Sequence, residues 1–301
     1  KLTFLPTRSG SGSFYYNAVR LNACTDAEVS YCVFNGTSAS KGGGGINAIT
    51  GTVGTSIHHN HFSNTRGYSI GFNIATENKI YNNVFAGGER GIWLYNNSDN
   101  NFIANNTFLN HTAGDFIYYN QVTSGNTFQN NLFASSLAIG EVKSSVSVND
   151  ILTNNTFRNN MFKVADESGI IAKDADGTEV TFAETEALDT FEGNIYGDPL
   201  FLDSSIGTIA KNSPCVGAGA AVADITDDFA GTGRANPPAI GAYEPSEQVK
   251  LDTYYVDAEA GDDNNMGSKD DPFQTVEKGL ASLSDGKTLI IGEGTYVLAG
   301  P

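Results

Sequence analysis

The sequence predicts an all-β fold in which short parallel strands coil into a solenoid. Three observations predict it. A hexapeptide recurs seven times, its copies start 28, 23, 23, 25, 29 and 34 residues apart, and no helical periodicity separates them. A period near 23 is too short for a strand–helix–strand crossover. One copy per turn of a coil, with each turn bonded to the next, satisfies all three observations.

The hexapeptide reads apolar, two variable residues, usually Asn, any residue, aromatic. Its copies occupy residues 29–34, 57–62, 80–85, 103–108, 128–133, 157–162 and 191–196. Asparagine fills the fourth position in six copies, as Asn60, Asn83, Asn106, Asn131, Asn160 and Asn194. The last position holds Phe34, Phe62, Phe85, Phe108, Phe133, Phe162 and Tyr196. We expect the asparagines to take left-handed turns and to bond one another in a ladder, and the aromatic rings to stack inside the coil.

A second short strand precedes the middle copies. Residues 68–73, 92–96 and 116–120 are apolar or aromatic and are followed by the polar clusters 76–78, 98–100 and 123–125. Each turn of the coil should therefore hold two or three strands separated by turns.

In this repeat the sequence resembles the right-handed parallel β-helix, or pectate-lyase-like, superfamily. The resemblance implies a right-handed parallel β-helix with one turn per repeat. It leaves the activity open, because the superfamily includes lyases, hydrolases, epimerases, adhesins and surface proteins.

The chain divides into three parts in this interpretation. Residues 1–247 hold the coils and a tail, because residues 194–201, 213–219 and 240–245 look like the C-terminal end of such β-helices. Residues 248–252 read as a polar linker. Residues 253–301 look like the opening of another β-helix, with a capping helix started by Pro272 and a first strand at 289–291. The apolar face of that helix would be Val276, Leu280 and Leu283.

This order of segments predicts head-to-tail assembly. A coil that opens at the end of the chain could complete the coil of the next copy, and a contact that does not close on itself gives an open filament. The chain would then be one unit of a longer repeating chain or polymer. A fragment of a two-domain enzyme is the alternative.

The charge excludes several partners. Thirty-four acidic residues against 17 Lys and Arg give a net charge of −17. A nucleic-acid binder needs a basic surface, so nucleic acid is excluded as a partner. No run of eighteen apolar residues encodes a membrane span. The same charge repels a polyanionic glycan unless a cation intervenes.

Catalytic candidates are few. The stretch 141–145 is similar to the Glu…Lys-Ser stretch of chondroitinase-B-like lyases, which implies Lys143 as the base beside Glu141. The partner arginine expected one turn later is missing. Asp224, Asp227 and Asp228 could serve a hydrolase, but a solvated loop is the preferred interpretation. The sequence therefore favours a protein without catalytic activity over an enzyme, without deciding between them.

Two clusters could hold a metal. His58, His59 and His61 offer a two-histidine site on one strand. The acidic stretch before the capping helix suits Ca²⁺, the one cofactor that the sequence suggests, through Asp257, Asp262, Asp263 and Asp271. A solvated turn is the alternative there.

Other residues point to glycans. Trp93, Tyr95, Tyr118 and Tyr119 lie on neighbouring turns and either fill the core or face outward to stack on sugars. Asn35, Asn96, Asn110 and Asn154 are N-glycosylation candidates, while a fifth site, Asn105, lies inside the repeat. The sequence leaves undecided whether Cys24 and Cys32 form a disulfide, and Cys215 is far from both in the sequence.

The function predicted first is an extracellular or cell-surface structural protein, the subunit of a head-to-tail filament, sheath or surface appendage. Its partners would be copies of itself. The alternatives are a secreted polysaccharide lyase or other carbohydrate-active enzyme and a glycan-binding adhesin.

Overall fold

A computed structural model of the 301-residue chain describes residues 2–4, 17–36, 44–111, 115–119, 123–135, 137–142, 147–174, 176–246, 253–263, 267, 269, 272–283 and 287–296. The chain divides into two compact units, Lys1–Glu247 and Gln248–Pro301. The residues predicted to form the linker, 248–252, lie outside the described ones.

Three sheets run the length of the first unit, and successive strands in each come from successive turns of the coil. The first sheet contains Thr3–Phe4, Val33–Asn35, His61–Thr65, Val84–Gly88, Thr107–Leu109, Leu132–Ala134, Met161–Phe162 and Ile195–Tyr196. The second sheet contains Asn17–Asn22, Gly44–Val53, Ile70–Thr76, Arg90–Tyr95, Asp115–Tyr119, Ile139–Val142, Ile170–Asp174 and Glu179–Thr181. The third sheet contains Glu28–Ser30, Ser56–His58, Lys79–Tyr81, Phe102–Ala104, Thr127–Gln129, Thr156–Arg158 and Phe191–Glu192.

Pairing in these sheets is parallel, except where Glu179–Thr181 folds back antiparallel on Ile170–Asp174. Equivalent residues pair across turns; Phe62, for example, pairs with Phe85, and Phe85 with Phe108. The structure is therefore the parallel β-helix that the repeat predicts.

Stacked aromatic rings fill the interior. The rings of Phe34, Phe62, Phe85 and Phe108 follow one another at centroid distances of 4.6–5.0 Å, nearly parallel, and Phe133 and Phe162 continue the row at 5.2 Å. This spacing is close to the separation of neighbouring strands, so each ring lies over the ring of the previous turn. All six rings are fully buried.

The asparagines at the fourth position form a continuous buried ladder. The main-chain N–H and side-chain Nδ2 of each donate to Oδ1 of the next, as in the 3.0 and 3.1 Å bonds from Asn60 to Asn83. The same contacts continue through Asn106, Asn131 and Asn160 to Asn194. Each Nδ2 also donates to a carbonyl oxygen of the third sheet, such as Ile57 O at 2.8 Å from Asn83. Buried polar groups of the turns are thereby satisfied.

A second asparagine ladder, absent from the hexapeptide, borders the other side of the third sheet. Asn78, Asn101 and Asn126 each donate to Oδ1 of the next member, and Asn155 ends the row. All four side chains are buried. The third sheet is therefore held between two columns of amides.

Two short helices interrupt the later turns of the coil. Helix α1, Val148–Asn154, begins with a capping box formed by Ser147 and Asp150, and α2, Phe182–Thr185, begins with one formed by Thr181 and Glu184. Phe182 is buried against Phe162, Phe191 and Tyr196, the last rings of the coil. Helix α2 therefore covers the C-terminal end of the stacked core.

The tail that follows the coil covers the outer face of the first sheet. Its two regular strands, Phe201–Asp203 and Thr208–Ile209, pair antiparallel, and the rest is irregular. A second apolar core forms between the sheet and the tail, from Val84, Leu109, Leu132 and Met161 on one side and Ile209, Cys215, Ile240, Ala242 and Tyr243 on the other. Both faces of the first sheet are thus covered along these turns.

The second unit is small. Strands Thr253–Val256 and Thr288–Ile291 pair in parallel, and helix α3, Val276–Ser282, packs against both. Its core contains Tyr254, Val256, Phe273 and Val276. No helix among the described residues is long and apolar enough to cross a membrane.

The predicted capping helix is present, but two of its details were wrong. It begins at Val276, after the N-cap Thr275, rather than near Pro272. Its buried face is Val276 and Gly279, and Leu280 is 57% exposed. The reason is close packing: a Cβ on Gly279 would lie 2.8 Å from both Leu289 and Val256, so the helix backbone itself approaches the strands.

Candidate functional site

A column of left-handed residues runs along the turn between the third and first sheets. The residue before each ladder position has a positive φ between 50° and 63°, and the seven are Tyr31, His59, Asn82, Asn105, Asn130, Asn159 and Gly193. Our expectation that the ladder asparagines take this conformation was therefore wrong by one position. The preceding residue absorbs the left-handed bend, which frees the ladder asparagine to point inward.

Side chains of this turn column hold the main chain of the tail. Asn82 Nδ2 donates to Asp227 O at 2.7 Å, and Asn159 Nδ2 donates to Ala218 O at 3.3 Å. Asn130 makes a two-way contact with Ala220, donating to its carbonyl at 2.7 Å and accepting from its N–H at 2.9 Å. His59 Nε2 lies 3.0 Å from Asp228 O. Tail and coil are thus joined by hydrogen bonds as well as by apolar packing.

Asn105 is the member of this column that departs from the pattern. It is 2% exposed, and within the described part of the chain its Nδ2 has no hydrogen-bond partner. Its Oδ1 accepts from Asn130 Nδ2 at 3.3 Å. Asn105 lines a cavity of about 290 Å³ whose other walls come from the tail, at residues 221–223, 225–226, 234–236 and 238.

A buried ion pair within the tail contacts the turn column. Arg234 Nη1 lies 3.2 Å from Glu244 Oε1, and the two side chains are 5% and 7% exposed. Arg234 Nη2 also donates to Asn82 Oδ1 at 2.7 Å. Burial lowers the pKa of Arg234, while Glu244 favours its charged form. The guanidinium also donates to carbonyl oxygens of the tail, so each of its three nitrogens is hydrogen-bonded.

Asp228 is buried next to this ion pair and does not lie in a solvated loop. It is 1% exposed, and its Oδ1 accepts from the N–H groups of Ala230 and Thr232 at 2.8 Å each, while its Oδ2 accepts from Glu244 N at 2.9 Å. The interpretation of 224–228 as a solvated loop is therefore wrong for Asp228. Asp224, by contrast, pairs with Lys79 in the open, with both side chains at least half exposed.

His59 of the turn column lies beside His58, the last residue of the strand Ser56–His58. The Nδ1 atoms of His58 and His59 are 2.7 Å apart, and His58 Nε2 lies 3.2 Å from Glu28 Oε1. Tyr81 stacks on His58 at 4.6 Å and Tyr31 on His59 at 4.7 Å. His61, the third histidine of the predicted metal group, lies on the next strand of the first sheet.

Making all three hydrogen bonds of His58 and His59 at once requires three ring N–H protons, one more than two neutral imidazoles carry. Since Asp228 O can only accept, His59 donates from Nε2, and a neutral His59 then accepts from His58 at Nδ1. His58 Nε2 then faces the Glu28 carboxylate and bonds it only if His58 carries a second proton. Burial lowers the pKa of both imidazoles, although Glu28 acts in the opposite direction on His58.

The outer face of the second sheet carries a row of aromatic rings. Ile92 and Leu94 are buried inside the coil, so Trp93 and Tyr95 point outward, and both are half-buried. Trp93 lies 5.0 Å from Tyr68 and 5.2 Å from Tyr95 between ring centroids. Gly71 pairs with Trp93 across the sheet, and the Tyr68 ring occupies the space that a Cβ on Gly71 would fill. Tyr68 precedes the strand Ile70–Thr76 and is 5% exposed, so Trp93 and Tyr95 contribute the accessible ring surface. We call Tyr68, Trp93 and Tyr95 the aromatic row.

Polar groups flank the aromatic row. Asn96 Nδ2 donates to Asn73 Oδ1 at 3.1 Å beside Tyr95, and Arg90 pairs with Glu89 at 2.8 Å at the start of the Trp93 strand. Position 118 is in register with Trp93 on the next strand, so the face continues across three turns. The side chains of Tyr118 and Tyr119 lie outside the described part of the structure.

The lyase candidates are not brought together in the described part of the chain. Lys143 lies outside the described residues, and for Glu141 only the backbone, in the strand Ile139–Val142, is described.

The calcium candidates use their oxygens within their own loop. Asp257 Oδ1 accepts from the N–H groups of Glu259 and Ala260, and Asp263 accepts from Gln274 N, Thr275 N and the Thr275 hydroxyl. These hydrogen bonds lower the pKa of both carboxyl groups. Asp262 is exposed, and Asp271 lies outside the described residues.

The glycosylation candidates differ in exposure. Asn35, Asn110 and Asn154 are exposed, Asn96 is half-buried, and Asn105 is buried. The three cysteines are free, and Cys32 and Cys215 are buried while Cys24 is half-buried.

The stacked coils define a member of the right-handed parallel β-helix superfamily. A family model described as periplasmic copper-binding protein (NosD) matches residues 7–149, somewhat under half of the chain. No curated protein matches the sequence. Among solved structures, one described as the complex structure of XylC with xylose matches at 10% identity with a TM-score of 0.30. That match covers 73% of this chain and 51% of the other, so the chain spans about half the length of that structure.

Sequence reasoning missed the tail closure and the cavity. The available signal was a single arginine, Arg234, and a single glutamate, Glu244, on either side of the apolar run 238–243. Charged residues bordering an apolar run are common at the surface, so this signal does not identify a buried pair without the fold.

Proposed function

We propose that the protein is an extracellular or cell-envelope β-helix protein that binds a neutral glycan on the aromatic row. The observation that carries the proposal is Trp93, held between Tyr68 and Tyr95 on the outer face of a regular sheet. Aromatic faces pack against the apolar faces of sugar rings, and a strand holds those faces more rigidly than a loop does. The periplasmic family that matches residues 7–149 supports the location.

The neighbouring groups suit sugar hydroxyls. The Asn73–Asn96 amides and the Glu89–Arg90 pair offer donors and acceptors on both sides of the rings. The net charge of −17 selects against acidic polysaccharides, which would be repelled in the absence of a cation. The first sheet cannot provide such a surface where the tail covers it.

Affinity electrophoresis tests this proposal. Gels that contain a neutral polysaccharide, such as hydroxyethylcellulose, laminarin or mannan, should retard the protein, and gels that contain alginate should not. Trp93→Ala should abolish the retardation. Tyr196→Ala is the matched control, because Tyr196 is 36% exposed and lies outside the aromatic row. Retardation by none of the neutral polysaccharides, or equal retardation of the Trp93→Ala variant, would refute glycan binding at this face.

The head-to-tail filament is a second candidate, and one feature of the second unit favours it. Ile290 and Ile291 on strand Thr288–Ile291 are 44% and 48% exposed, although neighbouring residues of a strand point to opposite faces. Among the described residues this strand pairs on one edge only, with Thr253–Val256. A first strand from a second copy would cover that edge. Because α2 covers the end of the coil in the first unit, assembly would use the second unit.

Assembly is tested by size and shape. Light scattering should show a mass that rises with concentration, and negative-stain microscopy should show fibres. Ile290→Lys should prevent both by charging the strand edge, while Leu202→Lys, at a position 40% exposed in the tail, should not. A monomer at every concentration would rule out the filament.

Copper binding is not part of the proposal, because the donors present do not fit a copper ion. The described residues contain no group of three or more His, Cys, Asp or Glu that could hold a metal. The nearest approach is the His58–His59 pair, whose Nδ1 atoms are 2.7 Å apart. His58 and His59 supply only two donors, and protein copper sites use more, such as the two histidines and one cysteine of blue-copper sites.

A further inference from the structure

The cavity beside Asn105 lies where the pattern of the turn column is broken. On the turns to either side, Asn82 and Asn130 direct their Nδ2 atoms to carbonyl oxygens of the tail at 2.7 Å each. Asn105 has the same left-handed backbone, with φ 52°, and the same side chain. Its buried Nδ2 nevertheless has no acceptor among the described residues, because here the tail passes at a distance. A buried donor without an acceptor is rare in folded proteins.

The residues that line the cavity restrict the class of ligand that it could bind. The apolar surface comes from Ala221, Val222, Ala223, Ile225, Ala235 and Pro238, while Thr226 and Asn236 add polar side chains. Arg234 also lines the cavity, but Glu244 pairs with its charge and its donors serve oxygen atoms of the tail and of Asn82. The volume of about 290 Å³ is at the small end of ligand cavities.

We propose that this cavity binds a small neutral ligand through an acetamido group. The carbonyl oxygen would accept the hydrogen bond of Asn105 Nδ2, and the methyl group would pack against the alanine and valine side chains. An anion is disfavoured because Arg234 is already paired and the net charge is −17.

The site is separate from the aromatic row and does not depend on glycan binding there. N-acetylated sugars and N-acetylated peptides both carry the group, so the probes must separate the two sources. N-acetyl-D-glucosamine, N-acetyl-L-alanine amide and free acetamide present it in different settings. D-glucose is the matched probe without it.

Titration with each probe, followed by two-dimensional amide NMR, tests the proposal. Acetamide should shift the Asn105 side-chain amide saturably, and one of the two larger probes should bind at least tenfold more tightly than acetamide. Ala223→Phe, which fills the cavity from an exposed position, should weaken binding at least tenfold. Ala230→Phe, at an exposed alanine of the same tail outside the cavity, should leave it unchanged.

Asn105→Asp provides a second variant, because it replaces the donor with an acceptor and still tolerates a left-handed backbone. It should also weaken binding at least tenfold. The proposal is overturned if acetamide causes no saturable shift, if D-glucose binds as well as N-acetyl-D-glucosamine, or if Ala223→Phe binds normally. Loss of binding in Trp93→Ala would overturn it too, since that result would place the ligand on the aromatic row.

Discussion

The Nδ1 atoms of His58 and His59 lie 2.7 Å apart, so one imidazole must donate a hydrogen bond to the other. Since His59 Nε2 faces the carbonyl oxygen of Asp228, His58 is the donor when His59 is neutral. A chain of contacts therefore leads from the exposed carboxylate of Glu28 to the buried tail. Its last link at Glu28 forms only when the pair holds one extra proton.

We predict that both histidines titrate below 6.5, because burial lowers their pKa values. The unfolded chain takes up these protons near 6.5 while the folded chain resists them. The free energy of unfolding should therefore fall as the pH drops below about 6.5 and through the lowered folded values. Proton NMR of the imidazole signals measures the titrations, and urea unfolding at pH 7.5 and 5.5 measures the stability.

The Glu28→Gln variant separates the effect of Glu28 on the pKa of His58 from the effect of burial. The variant removes the carboxylate that favours a charged His58, so the pKa of His58 should fall further. A glutamine amide can also donate to the unprotonated Nε2 without any added proton. An unchanged or higher pKa of His58 in this variant would show that Glu28 does not contact the ring in solution.

His111 should make the protein more sensitive to acid than the exposed carboxylates alone would. Complete burial lowers its pKa to about 3. Below pH 6.5 the unfolded chain binds this proton and the folded chain does not, which costs at most about 1.4 kcal/mol per pH unit. His111→Leu should therefore lose less stability than the parent between pH 6.5 and 4.5. Parallel urea unfolding curves at both pH values provide the comparison, and an identical pH slope for the two proteins would contradict the prediction.

Arg234→Met should destabilise the tail by about 3–5 kcal/mol, because it leaves the buried carboxylate of Glu244 uncompensated. Lys79→Met breaks the exposed pair with Asp224 and should cost under about 1 kcal/mol. Limited proteolysis should cut the first variant within residues 197–246 while the coil survives. Equal protease resistance of the two variants would mean that the buried pair does not hold the tail.

Asn131→Ala tests the ladder at its centre. Asn131 Nδ2 donates to Ile103 O and to Asn160 Oδ1, and its Oδ1 accepts two bonds from Asn106. Removing it leaves several buried groups unbonded, so we expect a loss of about 2–4 kcal/mol. Asn149→Ala, at an exposed position of α1, should change the stability by under about 0.5 kcal/mol. Thermal and urea unfolding of both variants give the comparison.

The sequence was informative wherever one residue type recurs at one position of the coil. Asn83 and Phe85 repeat with each turn, so their stacking predicts the parallel β-helix. The second ladder was hidden, because Asn78, Asn101 and Asn126 follow turns of different composition. The tail closure could not be predicted, because its contacts join distant segments: His59 meets Asp228 across 169 positions, and Asn82 meets Arg234 across 152. A single residue that packs against one remote segment leaves no periodic signal.

The two asparagine ladders, which form columns of amides along the coil, also determine where a turn of the coil can change length. From the third sheet to the first, each copy of the hexapeptide takes the same six residues, and the differences between repeats of 23 and 34 residues fall on the arc that carries the second sheet. An epitope tag or a small cargo domain inserted at the exposed Asn97 would extend that arc without changing the register of either column. The coil could thus serve as a display scaffold, with foreign loops carried on one side only.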